Sequence, residues 1–384
     1  MLLERDDVDP NTADDYGRTP LLWAACNGHE GVVRILLGRG DVSPDTMDRY
    51  GKTPLSRAVE NEHEGVVKIL LGRNDVNPDG GDEHGRTPLS RAACKGHEGI
   101  VRILLGRSDV SLNTADEHDK TPLFRAVENG HEAVVGMLLE WDEVNPDAPD
   151  QWGKTPLSYA AERGHEGVVK MLLERDEVNT NTADKERMTP LWLAACKGHE
   201  GVVRMLLGRS DVSPDIVNEY GETPLSRAAE SGHEGVVRVL LERDGVNPDR
   251  ADKIGETPLS GAARHGHEEI VKILLERDDV NPDRANTFGQ TPLFQAAMYG
   301  HEGSVRILLG RNDVTPDAHD KYGKTPLLQA VENGHERIAK LLRDREDSTP
   351  RHAASLQPKE VLPSELPELP EPPFERTLRS GIQK

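Results

Sequence analysis

Cysteine is scarce in this chain of 384 residues: there are three, Cys26, Cys94 and Cys196. So few thiols exclude a disulfide framework, and the lack of a Cys/His cluster argues against a metal site. Basic residues are also short, 47 Lys and Arg against 68 Asp and Glu, and the net charge of -21 disfavours a nucleic-acid backbone or an anionic membrane as partner. No apolar run approaches the roughly 18 residues needed to span a bilayer. The start, Met1-Leu2-Leu3-Glu4-Arg5-Asp6-Asp7, has neither the basic opening nor the apolar core of a secretion signal. The expected address is therefore intracellular, cytoplasmic or nuclear, with reduced thiols. Also missing are a phosphate loop ending in Gly-Lys-Ser or Gly-Lys-Thr, a His-Glu-x-x-His pair and a serine nucleophile elbow. No residue is nominated for catalysis, cofactor binding or metal ligation, and the chain reads as no enzyme.

What is present is a period. Thr-Pro-Leu begins at Thr19 and returns at Thr53, Thr87, Thr121, Thr155, Thr189, Thr223, Thr257, Thr291 and Thr325, ten copies of a 34-residue unit. A unit this short cannot bury its own apolar face and must stack on its neighbours, so the pattern predicts an all-α solenoid with projecting loops or β-hairpins. The three cysteines share one repeat position. With stacked helices about 10 Å apart, Cys26 and Cys94 should stand about 20 Å apart, far beyond the ~7 Å Cα limit for a disulfide. Three segments are expected: a partial repeat over 1–14, the array over 15–347, and a Pro/Glu-rich tail over 348–384.

Residues 253–286 show how one unit should fold. Thr257 is placed to cap a helix and Pro258 to occupy its first turn, where a missing N–H costs nothing. Leu259, Ala262 and Ala263 form the inner side, the small alanines letting the next layer approach. Gly266 stops this helix and His267-Glu268-Glu269 starts a second. There Ile270, Ile273 and Leu274 follow core spacing while Lys272, Glu276 and Arg277 point outward. Asp278 to Gly289 is rich in turn formers and should project as a loop or hairpin.

Helix, turn, helix and projecting loop, with Thr-Pro-Leu, Gly-His-Glu, Val-Val-x-x-Leu-Leu and Val-Asn in order, resembles the ankyrin repeat. The likeness covers about nine-tenths of the chain. Two features depart from that family's pattern. Where the family has His after Thr-Pro-Leu, this chain has Leu22, Ser56, Phe124 or Trp192 among others, and its period is one residue longer, with Asn-Pro-Asp or Ser-Pro-Asp in the connection. Such Arg-Asp-Asp-Val-Asn-Pro-Asp arrays resemble those of filamentous fungi, often joined to a nucleotide-binding or nucleoside-hydrolysing domain of an intracellular receptor, which is not visible in this sequence. The resemblance implies a right-handed spring of L-shaped repeats, binding protein through loop tips and first helices.

Ten histidines, among them His29, His199 and His335, recur at one repeat position, and ten catalytic sites in a row are implausible. Each is expected to bond across the turn between its helices. Positions that vary between repeats are more informative. The residue before the loop glycine reads Tyr16, Tyr50, His84, His118, Trp152, Glu186, Tyr220, Ile254, Phe288 and Tyr322. This row serves either as anchors for a partner, since Tyr and Trp give large rigid contact area, or as packing between loops. On the first helices, Arg57/Glu60, Arg125/Glu128 and Arg227/Glu230 stand at i, i+3, while Arg91 has no acid at that spacing. The candidate protein-binding residues are Tyr50, Arg91, Trp152, Tyr159, Trp192, Tyr220, Phe288 and Tyr322, centred on Trp152, Tyr159 and Trp192. Trp192 has an alternative place, filling a gap between repeats. Asp119 and Arg187 replace loop glycines, so the tip at Arg187 is expected to be altered.

At the ends, Met1-Leu2-Leu3-Glu4-Arg5 aligns with Ile35-Leu36-Leu37-Gly38-Arg39, which leaves the first repeat without a cover and predicts an upstream domain, association with a partner at that end, or fraying of the first unit. The charged Glu336–Asp347 segment reads as a cap. The tail, with Pro363, Pro367, Pro370, Pro372 and Pro373, reads as disordered or polyproline-like, with Phe374 a candidate to fold back. The favoured function is a noncatalytic scaffold or recognition module for a protein with a basic surface, not for nucleic acid or membrane. The alternatives are the repeat region of a larger receptor, a structural spacer, or an enzyme using Glu128, Glu162 and Glu230 in the groove.

Overall fold

The computed structural model describes residues 9–348. Met1–Arg5 and the Pro/Glu-rich tail, with Phe374, lie outside the described residues. Contacts group Met1–Glu346 in one unit and Asp347–Lys384 in another. The fold is an all-α solenoid of helix pairs, from Pro20–Cys26 and Glu30–Leu37 to Pro326–Glu332 and Glu336–Ser348.

Every first helix starts the same way. Threonine at the N-cap adopts extended backbone and its hydroxyl accepts the N–H three residues on, with proline in the first turn, as at Thr19, Thr189 and Thr325. A left-handed residue ends it in all ten repeats, at the C-cap in five and one residue later in the rest; Gly198 has φ 76° and its N–H returns to the carbonyls of Ala194 and Ala195. The second helix carries Val and Leu toward the first. Along the stack, first helices pack on first helices and second on second, so one core runs the length of the array. In the fifth repeat it contains Leu157, Ala160, Ala161, Val168, Val169 and Leu172, all fully buried. Burying each leucine stabilises by about 1.5–3 kcal/mol, through the other helix of the same repeat and through the repeats on either side, about 34 positions away.

The loops are turns, and no β-strand occurs among the described residues. The reason lies in an aspartate or asparagine two residues before each tip residue. Asp150 Oδ1 accepts the N–H groups of Trp152 (3.0 Å) and Lys154 (2.9 Å), and its own N–H bonds Lys154 O. The side chain thereby takes amides that a hairpin ladder would use. Consecutive loops are joined instead by single main-chain bonds, such as Lys185 N–H to Trp152 O at 3.0 Å.

Two sequence expectations are corrected. The tip at Arg187 is not altered: Arg187 takes the same left-handed turn as the glycines (φ 64°), with its N–H on Asp184 O at 2.9 Å. The repeating histidine spans its own turn with its main chain, His199 N–H to Ala194 O at 3.0 Å, but not with its ring. In six repeats the ring reaches back to the previous one, Nε2 of His63, His131, His199, His233 and His267 donating at 3.0 Å to the carbonyls of Cys26, Cys94, Glu162, Cys196 and Glu230, and that of His335 at 3.1 Å to Met298 O. Each ring also sits over the left-handed turn of that previous repeat. A Cβ on Gly198 would lie 2.6 Å from His233 Nδ1, so glycine there serves the neighbouring ring as well as the turn.

Candidate interaction surface

The tips and the first helices form one flank. At eight of the ten tips the Asp or Asn base is buried, Asp14 being exposed and Asp252 half-buried, and at five of these eight an exposed ring stands two positions on: Asp48 under Tyr50, Asp150 under Trp152, Asn218 under Tyr220, Asn286 under Phe288, Asp320 under Tyr322. Tyr322 is 76 % exposed, and Tyr50, Trp152, Tyr220 and Phe288 are each two-fifths exposed or more. The backbone of this row is fixed by the base residue and by the bond to the next loop, while the rings remain in water. That is an ordered row of side chains with little left to lose on binding. The buried Asx bases were overlooked in the sequence. Their signal is the recurrence of Asp or Asn, ten times in register, at a position otherwise surrounded by exposed loop.

The central patch is smaller than its sequence suggests. Trp192 is only 6 % exposed, and its indole N–H donates to Glu222 O of the next repeat at 3.2 Å. It shares a repeat position with buried Phe124 and Phe294, so it fills the space between repeats and leaves the candidate surface. Trp152 remains, stacked on His118 with centroids 6.2 Å apart. Tyr159 is half-buried, edge-on to Phe124 at 5.5 Å, with its hydroxyl accepting from Arg163 at 3.1 Å. Lys120 places its ammonium 5.6 Å from the Trp152 ring and 5.4 Å from that of Tyr159.

Arg91 also moves. It is 6 % exposed, paired with Asp82 at the base of its own tip and with Glu60 of the preceding repeat at 3.3 Å. Its acids come from a loop and from a neighbour, which i, i+3 spacing does not reveal. The same ladder runs along the first helices. Glu60 meets Lys52 at 2.8 Å and Arg57 at 3.2 Å, Glu128 meets Lys120 at 2.6 Å and Arg125 at 2.8 Å, and Glu162 meets Lys154 at 2.6 Å. Burial pushes Glu60 and Glu128 toward the neutral form, yet the lysines beside them hold both carboxyls below the usual range. Glu128, Glu162 and Glu230, the acids considered for proton transfer, are all engaged, Glu230 by Arg227 at 2.7 Å and His265 at 3.4 Å. Among the described residues no three His, Cys, Asp or Glu side chains converge to hold a metal.

Repeats seven and eight break the ladder. The position of Lys52, Lys120 and Lys154 is held by Glu222 and Glu256, and that of Arg57 by Gly261. The result is a cleft lined by Glu222, Glu230, Asp252, Glu256, Ile254 and Arg264 among others. Burial raises Glu222 and Asp252 above the ordinary carboxyl range. Asparagine holds the tip base in repeats seven and nine, on either side of Asp252 in repeat eight. Asn218 Nδ2 donates to Glu222 at 2.7 Å and Asn286 Nδ2 to Glu256 at 2.7 Å, turning a like-charge contact into a hydrogen bond. Among the described residues no helix is long and apolar enough to cross a membrane.

No curated protein matches the chain. The profile described as ankyrin repeats (3 copies) matches residues 1–79, 74–150, 142–216, 209–286 and 278–352. Repeats of this kind generally mediate protein–protein interaction. With that match running unbroken over helix pairs capped by Thr-Pro-Leu and tied by Gly-His, the chain belongs to the ankyrin-repeat family.

Proposed function

We propose that the array is a noncatalytic recognition module that binds another protein along the flank of loop tips and first helices. The observation that carries this is the row of exposed rings, Tyr50, Trp152, Tyr220, Phe288 and Tyr322, on a backbone already tied from loop to loop. Rigid aromatic side chains on an ordered frame give contact area at small entropic cost. The acidic cleft of repeats seven and eight, flanked by Tyr220, Ile254 and Phe288, favours a partner that brings basic residues to that part of the flank.

The test is affinity capture on the full chain read by mass spectrometry, repeated with Tyr50, Trp152, Tyr220 and Phe288 all changed to alanine. Proteins held by this flank should disappear from the variant's capture and fall away as salt rises. An unchanged set with a folded variant refutes the reading. Trp192→Ala is the matched control: it removes a buried indole, so it should lower stability and leave capture by the intact flank in place.

A further inference from the structure

The two ends of the array carry the two halves of one interface. In the last repeat Val331 is 47 % exposed, whereas the residues at its position in the other nine, from Ala25 and Val59 to Ala263 and Ala297, are all 0 % exposed because the following repeat covers them. Leu328 beside it is likewise exposed, and the final helix, with Arg337, Lys340, Arg343 and Asp344 outward, does not cover either of them. At the other end Val32 is 43 % and Ile35 60 % exposed, while the residues at the position of Val32, from Val66 and Ile100 to Ile338, are 2 % exposed or less. Both faces therefore leave apolar residues in water, Val32 and Val331, at positions that every other repeat buries.

The polar groups match as well. His29 donates its ring to no carbonyl among the described residues; the bond forms at six of the nine internal junctions, as from His63 to Cys26 O, and not from His97, His165 or His301. Glu332 O, which corresponds to the carbonyls of Cys26 and Glu230, receives no histidine. A Cβ on Gly28, Gly198 or Gly266 would meet the next repeat's histidine within 3 Å, but one on Gly334 would meet nothing within 4 Å, and the same is true of Gly323 at the last tip. The last repeat thus offers an open turn, a free carbonyl and an uncovered apolar face. The first repeat offers a free histidine and the opposite apolar face.

We propose that copies of this chain associate end to end, the first repeat of one stacking on the last repeat of another as each internal repeat stacks on its predecessor. His29 of one copy then lies over Gly334 of the other and donates to Glu332 O; its first helix, Pro20–Cys26, covers Leu328 and Val331, and its Val32 and Ile35 lie against the final helix, Glu336–Ser348, as first packs on first and second on second inside the array. The nine internal junctions identify the occupant, since each shows a repeat of this same chain on the equivalent face. The contact is heterologous, so it grows as an open chain of copies rather than closing as a two-fold dimer. Each copy carries a net charge of -21, so repulsion opposes the contact and added salt strengthens it.

Analytical ultracentrifugation of the full chain between roughly 1 and 300 µM, at low and high salt, tests this. The average mass should rise at least about twofold across that range without a plateau at dimer, and more at high salt. Ile35→Lys and Val331→Lys should each give monomers. Mixed in equal amounts they should give a one-to-one pair and stop, because each retains the face the other has lost. Val32→Glu and Leu328→Glu repeat the experiment should either lysine variant fail to fold. A full chain that stays monomeric throughout, a folded single-face variant that still grows, or a mixture that remains monomeric overturns the proposal. The first of these outcomes means that another occupant, this chain's own ends or a different protein, covers the faces.

Discussion

His199→Ala should weaken the protein, and His29→Ala should not, although the two histidines occupy one position in the sequence repeat. His199 donates Nε2–H to Glu162 O at 3.0 Å and its ring fills the space over Gly164, where a Cβ would lie 2.6 Å from Nδ1. Removing the ring leaves a partly buried carbonyl without a donor, which costs about 1–3 kcal/mol, and opens a gap at the junction of repeats five and six. Together these place the loss at roughly 2–4 kcal/mol. His29 has no repeat before it among the described residues and is exposed, so its loss at dilute concentration should lie within about 0.5 kcal/mol. Because stability in a solenoid is a sum of units and junctions, a weakened central junction should also lower cooperativity. Urea unfolding followed by circular dichroism measures both: His199→Ala should shift the midpoint down and flatten the transition, leaving His29→Ala superimposed on the parent. Equal losses from the two variants refute the assignment of the histidine to the inter-repeat contact.

Glu222→Lys should raise stability at pH 7 by about 0.5–1 kcal/mol, because it replaces an acid that burial disfavours with the lysine that meets Glu60 at 2.8 Å in the second repeat. For Glu222→Gln the gain has a pH signature. The raised folded-state value of Glu222 means its charged form penalises the fold; the penalty is complete above that value and absent below the unfolded value near about 4.3, so thermal melts of variant and parent should converge as pH falls. Gly198→Ala should cost more than Gly334→Ala, since both have φ 76° but only the first places a Cβ against a histidine. The second loses roughly 1 kcal/mol of backbone strain alone in chemical denaturation. Burial, helped by the Arg163 charge at His165 and the neighbouring His265 at His267, holds His165 and His267 below the ordinary histidine value. The unfolded chain then takes up protons first, so their contribution is full above about pH 6.5 and declines as pH drops toward the folded values. Urea midpoints at about pH 7.5 and 5.5 should differ in that direction, above the ordinary carboxyl range.

The amino-acid order alone determined the period, the helix pairs, the threonine caps and the Ala and Leu positions of the core, because each follows from interactions within a few residues and repeats in all ten units. The flank of variable residues was legible for the same reason, and so was the exposure of Trp152 at a loop tip. Trp192 and Arg91 were decided only by stacking: whether an indole on a first helix faces water depends on the residue 30 or so positions later that lies over it, here the carbonyl of Glu222. The partner of each repeating histidine, the loss of hairpin ladders to buried Asp and Asn, and the acidic break in the charge ladder at Glu222 and Glu256 have the same origin. Local propensity is set by near neighbours in the chain, but burial and hydrogen-bond partnership in a solenoid are set by the adjacent repeat, and those pairings exist only once the units are stacked.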